Sequence, residues 1–128
     1  MHQLFEYSHT NLLVKVKFRA SDIMLKIHSN GSFLSVSKSR SRAGGYYYFG
    51  DNIPTGQPDK LQGSMHQECS VIKPIMGLAA KYETSTLCLN CQNGIILRTI
   101  AKEIRHLQPL TLVQVDNSTT CNFVTKFL

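Results

Sequence analysis

The stretch "KIHSNGSFLS", residues 26–35, decides how this chain folds. It begins and ends like a β-strand, with Asn30-Gly31-Ser32 at its middle. Asn-Gly is a strong signal for a two-residue hairpin turn, because both residues tolerate a positive φ. On that reading the stretch is two short strands. Taken straight through, it is one strand, and Asn30 then stands where an aspartate would complete a catalytic "DGS".

The flanking sequence supplies the rest of the fold. Residues 3–7 resemble the end of a helix. "LLVKVKFRA", residues 12–20, alternates Val14, Val16 and Phe18 with Lys15, Lys17 and Arg19, the period of a half-buried strand. "DIMLKIHSNGSFLS" follows as a second strand region, "SKSRSRAGG" as a basic flexible connection, and "YYYFG", residues 46–50, as an aromatic strand. Residues 51–63 carry two prolines and two glycines and predict a loop, and "SMHQECSVI" predicts a further strand. After Pro74 a helix is expected, with Ile75, Ala79, Leu87 and Cys91 near one face. Asn93-Gly94 predicts its end, and "IILRTIAKEIRHL" a second helix striped by Ile96, Ile100 and Ile104. "PLTLVQVD" reads as a buried strand ending at Asp116, and "NSTTCNFVTKFL" as a helix opening on good capping residues. Strands first, then helix, helix, strand and helix, predict an α/β fold. Its mixed sheet has antiparallel early strands and a helical crossover to a parallel strand, with flanking helices.

A chain of 128 residues is one domain at most. No apolar run reaches the roughly 18 residues of a membrane span. The opening "MHQLFEYSHT" lacks the basic and apolar regions of a secretory signal, so an intracellular location, cytoplasmic or nuclear, and reduced thiols are expected. Of the four cysteines, Cys88 and Cys91 have the spacing of half a zinc site. No second close pair completes it, and the apolar helical surroundings favour packing. The formal charge of +6 and a pI near 9.3 favour polyanionic partners.

With only eight acidic residues, the position of each matters. Asp116 ends an apolar strand just before a helix start, where α/β folds place ligands. Glu83 lies on or near the buried side of a helix, an unusual place for a carboxylate. Asn30 lies in the central early strand. Four motifs in this order resemble the ribonuclease H-like domain of copia-type retrotransposon polyproteins, the region after reverse transcriptase. They are "ASDIMLKIHSNGSFLS", "KSRSRAGGYYYFG", "IMGLAAKYETSTLCLNCQ" and "LVQVDNSTT", and the resemblance spans roughly residues 3–128.

The resemblance implies a ribonuclease H-like sheet over residues 12–128, incomplete at its C-terminus, with residues 1–11 a remnant of an upstream connecting segment. It implies cleavage of RNA–DNA hybrids by two Mg²⁺ ions held on several carboxylates. Glu83 and Asp116 would be metal ligands, and Asn30 would replace the first catalytic aspartate with a neutral amide. Lys81 stands where the family motif usually has glutamate. Lys38, Arg40 and Arg42 would contact phosphates. The implied chain is a degenerate nuclease, with magnesium weak or absent, that still binds nucleic acid. An active hybrid ribonuclease, and an unrelated small basic α/β binding module, stay open beside it. No membrane partner is expected. Self-association through exposed sheet surface near Val113, Val115 and Phe123 is expected.

Overall fold

The structure is a computed structural model that describes residues 2–53, 60, 62–75 and 77–116. In chain order the elements are α1 (His2–Thr10), β1 (Met24–Val36), β2 (Arg40–Gly50), β3 (His66–Ile72), α2 (Ala79–Glu103) and β4 (Leu112–Val115). The strands form one sheet in the order β3-β2-β1-β4. β1 pairs with β2, and β2 with β3, antiparallel, whereas β4 lies parallel to β1 after the α2 crossover. The mixed α/β sheet follows the element order expected from sequence.

Asn30-Gly31 does not turn. β1 runs through it for 13 residues, with Asn30 opposite Gly44 and Gly31 opposite Ala43. The reversal lies at residues 37–39, where Lys38 and Ser39 take φ of 62° and 52°. Gly31 is required for space: a Cβ there would lie against Tyr82 Oη, 2.5 Å from Cζ and 2.6 Å from Cε1. Farther along, the register shifts between Ser32 and Val36, and the Leu34 N–H is donated to Ser41 Oγ at 3.0 Å.

Three expectations are corrected. Residues 12–20 form no strand and are exposed throughout. Their alternation finds no ladder, and the segment is tied instead to the chain at residues 60–63, with the Gly63 N–H on the Lys17 carbonyl at 2.9 Å. "SKSRSRAGG" is a flexible connection only over residues 37–39, because from Arg40 onward it belongs to β2. Arg40 and Arg42 are exposed while Ser41 and Ala43 are buried, a strand period in which serine takes the inward place. Finally, Asn93-Gly94 stops no helix, and the two expected helices are the single 25-residue α2. Gly94 is buried, and a Cβ there would come 2.6 Å from Ile27 Cδ1, so the glycine lets the helix lie close on β1. The helix expected over 117–128, and part of the loop expected over 51–63, lie outside the described residues.

The stripe Tyr82, Thr86, Asn90, Gly94 and Ala101 seats α2 on the sheet. Odd-numbered residues of β1 meet it: Ile27 at Gly94, Ser29 at Asn90, and Gly31 and Phe33 at Tyr82. At the centre, Asn90 Oδ1 accepts from Tyr47 Oη at 2.7 Å, and its amide donates to Ser29 Oγ at 2.7 Å and the Gly44 carbonyl at 2.9 Å. The even-numbered residues point to the other face. There His28, Tyr46 and Tyr48 stack in a cluster, His28 Nε2 lying 3.1 Å from Tyr48 Oη, and Tyr46 donates to the Gln62 carbonyl.

Candidate functional site

The parallel pairing of β1 with β4 positions the residues singled out from sequence. Its last pair is Ser29 with Val115. Asp116 is the next residue, so the register brings it beside Asn30, the next residue of β1. Both are exposed, and Asn30 falls on the face away from α2. Among the described residues β4 ends here while β1 continues to Val36, and this end of β1, on its β4 side beside Gly31, is the notch referred to below.

Glu83 lies on α2, on the other side of the sheet. It directly follows Tyr82, whose ring rests on Gly31 and whose hydroxyl is donated to the Arg42 carbonyl. Glu83 is half-buried on the flank of the sheet-facing stripe rather than on the far side of α2. Asn30 and Glu83 therefore lie on opposite faces of the sheet. Lys81 is exposed in the first turn of α2 and adds positive charge at this end.

Among the described residues, few carboxylates lie at this end of β1. Two divalent ions bring four positive charges, which clusters of carboxylates ordinarily offset. Here Glu83 and Asp116 supply the carboxylates, and the Asn30 amide oxygen already accepts the Gly31 N–H at 2.6 Å. Among the described residues no group of three or more His, Cys, Asp or Glu gathers as metal donors.

The basic residues occupy the neighbouring hairpin. Lys38 is in the turn, and Arg40 and Arg42 open β2, all three exposed. Ser32 pairs with Arg42, so Arg42 projects on the same face as Asn30. Its Nη1 lies 3.8 Å from Cys69 Sγ. Gly44 lies between Asn30 and the outer strand without a side chain, and it pairs with exposed Cys69 on β3. The result is a flat, open surface with cations at one end.

Cys88 and Cys91 lie about one turn apart on α2 as free thiols, Cys88 exposed and Cys91 half-buried. Burial, and then the nearby Cys88, push the Cys91 thiol above the usual range. Such a shift works against metal ligation, which needs the thiolate. Among the described residues no helix is long and apolar enough to cross a membrane.

Sequence reading passed over Tyr82 and Asn90, which fix α2, the helix that carries Glu83, against β1. The signal was a spacing of four residues continued by Gly94, but Asn90 and Gly94 are not apolar and did not register as part of a buried stripe. No protein-family model matches the chain, and neither a curated protein nor a solved structure does.

Proposed function

We propose that this chain is a degenerate ribonuclease H-like domain of the copia retrotransposon type. On this reading it binds nucleic acid, with RNA–DNA hybrid the natural ligand, and does not cut it. The observation that supports the proposal is the set of elements around one end of β1. An uninterrupted strand bears Asn30, a parallel strand brings Asp116 beside it, and the crossover helix supplies Glu83. Strand order and the sense of each pairing agree with the same reading.

Loss of one carboxylate at Asn30 and the positive charge of Lys81 leave magnesium held weakly or not at all. Removing one group that stabilises transition-state charge costs on the order of 10²- to 10³-fold in rate. Phosphate contacts from Lys38, Arg40 and Arg42 need no metal, so binding outlasts catalysis. Arg42 shares a face with Asn30, and Gly44 between them presents no side chain to a hybrid lying there.

Fluorescence anisotropy with a labelled hybrid, titrated across salt concentrations, tests the binding. The plot of log affinity against log salt should have a negative slope. Changing Lys38, Arg40 and Arg42 together to glutamine should flatten it by up to about 2–3 units. An unchanged slope would remove the hairpin from the interface. The same hybrid, incubated with magnesium or manganese, should remain intact. Metal-dependent cleavage that Glu83→Gln abolishes would establish an active ribonuclease instead.

A further inference from the structure

The last turns of α2 and the chain folding back along them enclose a cleft of about 260 Å³, lined by Ile95, Arg98, Thr99, Lys102, Leu107 and Gln108. Hydrogen bonds fix the fold-back. Arg105 takes a φ of 64°, and the N–H groups of Ile104, Arg105 and His106 are donated to the carbonyls of Ile100, Lys102 and Ala101 at 3.1, 2.9 and 2.9 Å. Gln108 is anchored to the start of β1, its Oε1 accepting the Leu25 N–H at 2.9 Å and its Nε2 donating to the Ile23 carbonyl at 2.8 Å. Arg98 Nη2 donates to the Gln108 carbonyl at 3.2 Å, which holds the guanidinium along one wall.

These bonds also decide the electrostatics. Free carbonyls at a helix C-terminus repel anions, and here three of them are already occupied by the fold-back. The charge of the cleft is then set by Arg98 and Lys102, four residues apart on one helix face, and no carboxylate is among the lining residues. Ile95 and Leu107, both largely exposed, supply an apolar wall beside the cations.

We propose that this cleft binds a phosphate ester carrying a planar or apolar group. The phosphate lies against Arg98 and Lys102, and the organic part lies on Ile95 and Leu107. A free nucleotide and the phosphorylated end of a nucleic-acid chain share this chemistry. The site stands apart from the notch: Gln108 is bonded at Leu25, five residues of extended strand from Asn30, or about 17 Å. It does not depend on the hairpin cations.

Calorimetric titration of the full chain tests it, with adenosine monophosphate, inorganic phosphate, adenosine, and a short oligonucleotide with and without a 5′-phosphate. Adenosine monophosphate should bind saturably, inorganic phosphate more weakly, and adenosine not at all. A 5′-phosphorylated oligonucleotide that binds tighter than the nucleotide identifies a chain end as the ligand. Equal affinity identifies the free nucleotide. Lys102→Gln, at an exposed position that leaves the fold-back intact, should weaken binding about tenfold or more. Arg98→Gln should do the same, with circular dichroism confirming that the helix is kept. Changing Lys38, Arg40 and Arg42 together should leave nucleotide binding unaltered, which separates this site from the hybrid surface. Absence of saturable binding, unchanged affinity in Lys102→Gln, or loss of binding in the hairpin variant would each overturn the proposal.

Discussion

Gly31→Ala, alone and combined with Tyr82→Phe, tests whether β1 runs through Asn30-Gly31 for the reason given. A Cβ at residue 31 would lie 2.5 Å from Tyr82 Cζ and 2.6 Å from Cε1, where carbon contacts are ordinarily about 3.5–4.0 Å. The ring would have to retreat by about 1 Å. It is fully buried, and its hydroxyl is tied to the Arg42 carbonyl. Overpacking of this kind costs about 1–3 kcal/mol, and loss of the hydrogen bond about 1 kcal/mol more. Gly31→Ala should therefore destabilise by about 2–4 kcal/mol in urea denaturation. Tyr82→Phe alone should cost about 1 kcal/mol. It also removes the atom nearest the new methyl group and frees the ring to slide. The double variant should then fall short of the summed costs by about 1–2 kcal/mol, a coupling that contacting residues show and distant ones do not. If Gly31 were needed for a positive φ in a tight turn, its cost would not depend on residue 82. Energies that add within about 0.5 kcal/mol would refute the argument.

Other consequences follow from the same packing. Asn90→Ala should cost about 3–5 kcal/mol, measured by thermal or urea denaturation, because it removes three buried hydrogen bonds at once, to Tyr47 Oη, Ser29 Oγ and the Gly44 carbonyl. Burial raises the pKa of both Cys91 and Tyr47 above their ordinary values of 9.0 and 10.0. The folded chain holds these protons more tightly than the unfolded one, so the stability is present below those values. It should be lost as pH rises above them, with the Cys91 part beginning first. Urea midpoints followed upward from neutral pH should fall, and Cys91→Ala should delay the onset while leaving the Tyr47 part. Asn30→Asp should strengthen magnesium binding over the parent chain, read as a shift in melting temperature with added metal, without conferring hybrid cleavage. Robust cleavage by that single variant would show that the two remaining carboxylates suffice.

What sequence could and could not reveal here depends on which partner each residue finds. The strands β1, β2 and β3 were legible because their residues carry the propensity or alternation that a sheet rewards locally, and β4 because an apolar run led to Asp116. The segment over residues 12–20 carried an equally clear alternation and failed, since period describes a face but does not provide a neighbouring strand. Arg40–Ala43 failed in the opposite direction: polar Ser41 holds an inward place because its hydroxyl closes the irregularity at Leu34. The two Asn-Gly pairs, one whose hairpin alternative is not taken up and one expected to end a helix, share one explanation. Asn30-Gly31 and Asn93-Gly94 carry turn chemistry, yet each glycine is used for close approach, Gly31 under Tyr82 and Gly94 under Ile27. These two contacts lie on the same helix face, and Asn90 between them bonds Ser29. Together they press α2 onto β1 along much of its length. A side chain larger than hydrogen at either glycine would lift the helix that carries Glu83 away from the strand that carries Asn30. Turn propensity is a local quantity and cannot register this demand, because the atoms that make it lie about 50–70 residues away in the chain. The residues that build the notch were therefore visible as types and positions, whereas the contacts that hold them there required the fold.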